Sequence, residues 1–160
     1  MAAILVVYHS ETGHTARMAQ VVAEAAREAG GTVVLKSVHD TSAEELTRYD
    51  GIIVGSPTYY GLMSAPVKKL FDDSVQFHHR LAGKVGGAFT SSGNVGGGNE
   101  TTILSILQAM LIHGMVVQGT SRGDHYGPVA IGAPDERADA EARALGRRVA
   151  ELAQKLAAAS

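Results

Sequence analysis

Unbroken apolar runs alternate along this chain with segments whose apolar residues recur every three or four positions. Ala3–Tyr8 is apolar on both faces, as a central parallel strand is. From about His14 to Ala29, Ala19, Val22, Ala23 and Ala26 form one stripe, which predicts an amphipathic helix ended by Gly30-Gly31. Thr32–Val38 predicts a second strand. Ser42 and Glu45 stand at capping-box spacing and open a short helix. Gly51–Gly55 predicts a third strand. A helix over about Ser64–Phe77 takes Pro66 in its first turn, where a missing N–H does no harm. Val85–Thr90 predicts a fourth strand, about Asn99–His113 a helix stopped by Gly114, and Met115–Gln118 a fifth strand. Gly119–Pro134 reads as a Gly-rich connection to a last helix over about Asp135–Ala158. That helix is acidic early and carries Arg147, Arg148 and Lys155 late, as the helix dipole favours.

Five strands with intervening helices predict one α/β domain over residues 1–160. Its sheet is parallel and doubly wound, with helices on both faces and strand order 2-1-3-4-5. Ligands in such sheets bind beyond the carboxyl ends of the strands. Three unusual loops fall there. Ser10-Glu11-Thr12-Gly13-His14-Thr15 follows the first strand, Ser56-Pro57-Thr58-Tyr59-Tyr60-Gly61 the third, and the segment from Thr90 to Gly98 the fourth. In this order strands one, three and four are adjacent, so one ligand can touch all three loops.

The first loop has the chemistry of a phosphate site. A helix N-terminus offers unpaired N–H groups and a positive dipole end. Ser10, Thr12 and Thr15 add hydroxyl donors, and Gly13 lets the backbone curl around an oxyanion. No Lys or Arg lies in the loop, and Glu11 must point outward, because a carboxylate beside a phosphate costs energy. Tyr59 and Tyr60 suit a planar ring, and Ser91, Ser92 and Asn94 suit the polar edge of a pyrimidine-type ring. Taken singly, each loop has a bland explanation: a capped turn, surface aromatics beside Pro57 and Gly61, and a flexible Gly96-Gly97-Gly98 run. Their convergence at one edge favours a ligand.

Composition removes several other classes. The chain has 160 residues, 45% hydrophobic and 19% charged, with net charge −2 and no basic cluster for nucleic acid. It has no cysteine, which excludes disulfides, thiolate catalysis and Cys-based metal sites. The N-terminal apolar run lacks a basic lead and is too short for a signal or a membrane span, so a cytoplasmic protein is expected. No P-loop, dinucleotide fingerprint or hydrolase elbow occurs. The seven histidines show no metal-ligand spacing. His78-His79 reads as a solvated helix end, and His113 suits a helix C-terminus.

Ser-x-Thr-Gly-x-Thr after the first strand resembles the FMN phosphate loop of flavodoxin-like proteins. The run from Ser56 to Ser64 and the run from Thr90 to Thr101 resemble the second and third loops of WrbA-type NAD(P)H:quinone oxidoreductases. His113-Gly114-Met115-Val116 and Tyr126-Gly127 extend the resemblance over nearly the whole chain. It implies an FMN enzyme that takes a hydride from NAD(P)H and passes two electrons to a quinone. By the same resemblance, Ser10, Glu11, Thr12, Gly13, His14 and Thr15 hold the FMN phosphate. Thr58, Tyr59 and Tyr60 line the isoalloxazine, and Pro57 and Gly61 of the same loop, with Thr90, also bind the cofactor. Ser91, Ser92, Gly93, Asn94, Gly96 and Gly97 contact its pyrimidine edge, and His113 approaches the flavin. No general acid or base is named by these residues, since FMN carries the reaction.

The chain departs from that pattern in three ways. The link from Val38 to Gly51 is brief, Asn94-Val95 adds one residue before the glycines, and there is no tryptophan. Phe77 and His78 are the candidates for the missing aromatic. The alternative reading is a flavodoxin-type single-electron carrier. Such carriers are typically strongly acidic, whereas this chain has 16 acidic and 14 basic residues. The resemblance, together with the long connection carrying Tyr126, Val129 and Ile131 that a monomer would expose, implies a homodimer or homotetramer.

Overall fold

A computed structural model describes residues 1–159. Strands β1 (Ala3–Tyr8), β2 (Thr32–Ser37), β3 (Gly51–Pro57) and β4 (Val85–Ser92) lie in one parallel sheet. Helices α1 (His14–Glu28), α2 (Ala65–Asp73), α3 (Asn99–Ile112) and α4 (Glu136–Ala158) cover it. With β5 (Val116–Val117) beside β4, the order is β2-β1-β3-β4-β5, as the sequence predicts. Short 3₁₀ turns at Val38–Asp40 and Glu44–Arg48 fill the link from β2 to β3. Ser42 Oγ accepts the Glu45 N–H there at 3.3 Å.

β1 shows why its run is apolar throughout. Ile4 and Val6 face α1 and α4, packing with Met18, Val22, Leu145 and Val149. Leu5 and Val7 face the other side, packing with Val67, Leu70, Ile103 and Ile106. Each such buried side chain contributes about 1.5–3 kcal/mol. α1 and α4 meet through small residues: a Cβ on Gly146 would lie 2.2 Å from the Val22 carbonyl oxygen. Asp135 caps α4, accepting the Ala138 N–H at 2.8 Å.

The predicted fifth strand is corrected. Only Val116–Val117 (β5) pairs with the start of β4, at Val85 and Gly86. The chain then leaves the sheet and returns as β6 (Val129–Ile131), which pairs with Thr90, Ser91 and Ser92. The edge position is thus filled by two short pieces, and part of the predicted Gly119–Pro134 connection is strand. Asp124 organises the return. Its carboxylate accepts the Val129 N–H at 2.9 Å and pairs with Arg137 at 3.0 Å. Gly127 allows the close approach, because a Cβ there would lie 2.1 Å from the Ala88 carbonyl oxygen. The helix predicted over Ser64–Phe77 also divides: α2 ends at Asp73, and Ser74–Phe77 is a 3₁₀ turn.

Candidate functional site

The three loops meet beyond the carboxyl ends of β1, β3 and β4. They enclose a cleft of about 310 Å³ lined by Ser10, Glu11, Thr12, His14, Thr15, Pro57, Thr58, Tyr59, Ser91, Ser92, Gly93 and Gly132. In the first loop, Ser10 Oγ accepts the Gly13 N–H at 3.1 Å and turns the chain. Gly13 has φ 98°, and nothing lies within 4 Å of where its Cβ would be. It stands at the N-cap of α1, where no side chain caps the helix. The first bond of the helix runs from the Arg17 N–H to the Gly13 carbonyl, so the N–H groups of His14, Thr15 and Ala16 have no acceptor within the helix. Thr12 is exposed with a free hydroxyl among the described residues, whereas Thr15 is buried.

Hydroxyls tie the loops together. The Thr15 and Ser91 hydroxyls are 2.8 Å apart, joining the first loop to the third. The Thr58 N–H donates to the Ser91 carbonyl at 2.8 Å. Thr90 Oγ1 donates its single proton to the Ser56 carbonyl at 2.6 Å, so the Thr58 hydroxyl, 2.8 Å away, donates to Thr90. Thr90 therefore lies buried beneath the cleft and supports it. Ser92 Oγ donates to the Asn94 carbonyl at 2.9 Å, which folds the third loop on itself. Backbone meets backbone where a Cβ on Gly98 would lie 2.5 Å from Gly61 Cα.

Tyr59 and Leu62 exchange backbone hydrogen bonds of 3.3 and 3.1 Å across a two-residue turn. Its central residues, Tyr60 and Gly61, have φ 52° and 75°. A left-handed tyrosine costs about 1–2 kcal/mol and here leaves the Tyr60 ring wholly exposed at the rim. Tyr59 lines the cleft, while Asn94, Gly96 and Gly97 stand exposed on the outer part of the third loop.

His113 is not brought to these loops within the chain. α3 starts at the cleft and runs back for 14 residues, about 20 Å. His113 follows its last turn, next to Gly114, whose carbonyl accepts the Gly83 N–H just before β4. Its Nε2 is 2.7 Å from Ser74 Oγ, and its buried Nδ1 has no partner among the described residues. Burial, and then the neighbouring His78, hold its pKa below the usual histidine range. His78 lies beside it with ring centroids 5.5 Å apart, and Phe77 belongs to the preceding 3₁₀ turn. The candidates for the missing aromatic therefore also stand apart from the cleft within one chain.

Sequence reasoning missed three residues. Gly132 reaches the cleft because its N–H donates to the Ser92 carbonyl at 2.7 Å, after the unforeseen β6. His9 is buried directly under the first loop, between Glu11 and Ser64. No spacing rule marks His9 or Ser64, since the bond between them spans 55 positions.

Known proteins resemble this chain in sequence and in fold. The flavodoxin family model matches residues 6–108. A protein named NAD(P)H dehydrogenase (quinone) from Archaeoglobus fulgidus is 38% identical, over 98% of this chain and 100% of its own length. A protein named flavodoxin from Aquifex aeolicus is 43% identical, over 94% of this chain and 86% of its own. A crystal structure described as a flavodoxin, WrbA-like protein from Agrobacterium tumefaciens is 32% identical with TM-score 0.82, over 97% of this chain and 99% of its own. The chain belongs to the flavodoxin family. Within that family its likeness runs over the full chain to WrbA-like proteins and to those named NAD(P)H dehydrogenase (quinone).

The residues fit the phosphate end of FMN. The N-terminus of α1 is uncapped, the Ser10 hydroxyl proton and the Thr12 hydroxyl are uncommitted within the loop, and Gly13 leaves open space. This donor set suits a dianion held by N–H and O–H groups alone.

Proposed function

We propose that this protein is an FMN-dependent NAD(P)H:quinone oxidoreductase. One observation carries the proposal: an uncapped helix N-terminus opens into a cleft whose walls are cross-bonded loops at the strand ends. The full-length relatives named NAD(P)H dehydrogenase (quinone) support the activity. FMN, when bound, supplies the two-electron chemistry between NAD(P)H and quinone. The chain's own residues bind, orient and shield.

In this reading Ser10, Thr12 and Thr15, with the first N–H groups of α1, take the phosphate. Glu11, Gly13 and His14 belong to the same turn. Pro57, Thr58 and Tyr59 form one wall for the ring, with Tyr60 and Gly61 at its rim. Ser91, Ser92 and Gly93 form the other wall over buried Thr90, and Asn94, Gly96 and Gly97 extend it outward. Glycine contact between the second and third loops keeps the walls close. His113 reaches a flavin only in another copy of the chain. Exposed Val75, Leu111 and Ile112 near it, and exposed Tyr126 and Ile131 on the edge segment, support a homodimer or homotetramer. A cytoplasmic location accords with the absence of cysteine and of any helix long and apolar enough to cross a membrane among the described residues.

The relative named flavodoxin favours a second reading, a single-electron carrier. The near balance of 16 acidic and 14 basic residues gives little charge to steer such a carrier to basic partners. The test is chemical. Heat-released chromophore is identified by mass, and the yellow protein is mixed with NADPH and then with benzoquinone under argon. FMN, bleached by NADPH and restored by quinone, is the expected result. FAD, or a protein that cannot take up FMN, overturns the reading. Failure of NADH and NADPH alike to bleach bound FMN transfers support to the carrier.

A further inference from the structure

Glu11 poses a problem for any anion site on the first loop. It lies two residues before the N-cap of α1, lines the cleft, and its side chain is 64% exposed. A helix N-terminus attracts carboxylates as well as phosphates. The N–H groups left open at α1 are thus within the natural reach of the chain's own nearest anion, which would occupy them as a self-made cap.

His9 stands where this is prevented. It is buried, at 3% exposure, at the end of β1. Its Nε2 lies 2.7 Å from Glu11 Oε1, and because a carboxylate only accepts, Nε2 is the donor. Its Nδ1 lies 2.8 Å from Ser64 Oγ. Ser64 is itself the N-cap residue of α2, a position where serine ordinarily caps its own helix, yet its side chain makes no cap bond there. The hydroxyl is spent on His9 instead, and the Ser64 N–H is fixed to Ser56 Oγ at 2.9 Å. The ring is held edge-on by His39 and Tyr59, with centroids 5.5 and 6.2 Å away. Each atom that could move the imidazole is occupied, and the one group the ring presents outward is the donor that engages Glu11.

We propose that His9, anchored by Ser64, is a positioning residue that holds the Glu11 carboxylate off the N-terminus of α1 and so keeps the phosphate site open. His9 does not touch the phosphate; it removes a competitor for the same N–H groups. The inference rests on the reading that α1 receives the FMN phosphate.

The test is a titration of flavin fluorescence with the full-length protein freed of flavin, using FMN and riboflavin side by side. His9→Phe keeps a flat ring among His39 and Tyr59 but loses both hydrogen bonds. It should weaken FMN about tenfold and leave riboflavin within twofold. Adding Glu11→Gln to His9→Phe should return at least fivefold of that loss, because the competing charge is gone. Ser64→Ala, a smaller change should His9→Phe not fold, should weaken FMN about threefold and be rescued by Glu11→Gln in the same way. A double variant as weak as His9→Phe, or equal losses for the two flavins, overturns the inference. Wild-type protein that binds FMN no better than riboflavin overturns the phosphate reading itself, and this inference with it.

Discussion

The two ends of the sheet are built on opposite principles. At the carboxyl ends of the strands, side chains are short and polar and bond across loops: Thr15 to Ser91, Thr58 to Thr90, His9 to Ser64. Glycines there remove bulk where backbones must touch or a ligand must enter. At the other end, α3 delivers His113 to Ser74 beneath a surface of exposed Val75, Leu111 and Ile112. One end is tied in advance and left open to a small polar ligand. The other is largely apolar, with a cavity of about 470 Å³ lined by Phe71, Val75, Ile112 and His113, whose Nδ1 is buried without a partner among the described residues. The contrast separates a polar cleft from an exposed apolar surface without appeal to resemblance, and four perturbations sharpen or break it.

The largest effect should come at the glycine contact. Gly98→Val puts a side chain where Gly61 Cα already stands, at φ 97°. About 3 kcal/mol of stability should be lost in urea, with flavin binding lost beside it. A change below about 0.5 kcal/mol would show that the loops are not held by this approach.

Next is the phosphate turn. Hydrogen bonds to a charged group contribute about 1.5–3 kcal/mol. Thr12→Ala with Thr15→Ala should therefore weaken FMN well over tenfold. Because Thr15 also bonds Ser91, that substitution should cost stability as well, whereas Thr12→Ala alone should not. Calorimetric titration with riboflavin is the control, and equal losses for both ligands would move the phosphate elsewhere.

The apolar end is probed by mass. Light scattering at micromolar concentration should give a multiple of 16.7 kDa. Leu111→Glu with Ile112→Glu should bring it down to the monomer while the fold persists. A clean monomer for the wild type removes the interface from the comparison.

The smallest effect concerns His113. Its native pKa is lowered by burial and by His78, so below pH about 6.5 the unfolded chain binds a proton that the native one resists. This contribution to stability is fully present above that pH and is lost progressively as pH falls below it. Melting temperature should drop on moving from pH 7.5 to 5.5, and His113→Gln should shrink the drop by about 3 °C. Equal drops in the two proteins would mean that the ring is not held neutral.

Much of this was legible in the chain. β1 announced both its faces through Ile4, Leu5, Val6 and Val7, and the order of the strands then put three loops at one edge. Less legible was anything decided by distant partners. β6 is only three residues and joins the sheet because Asp124 and Gly127 bend the chain back, which no local periodicity records. The Ser64 hydroxyl follows the N-cap rule in position and departs from it in partner, because His9 arrives from β1. His113 sits in a motif that resembles a flavin contact, yet α3 carries it to the far end. Nothing in the spacing of that motif records how far α3 runs from the three loops.

The central claim, that the cleft holds an FMN serving NAD(P)H and quinone, is tested most directly by steady-state kinetics of the FMN-loaded protein. In the proposed reading NADH and benzoquinone share the exposed face of a ring held between Tyr59 and the loop from Ser91 to Gly98, so each leaves before the other enters. Double-reciprocal plots at varied concentrations of both should give parallel lines. Intersecting lines would demonstrate a ternary complex and a second pocket, and would contradict the account.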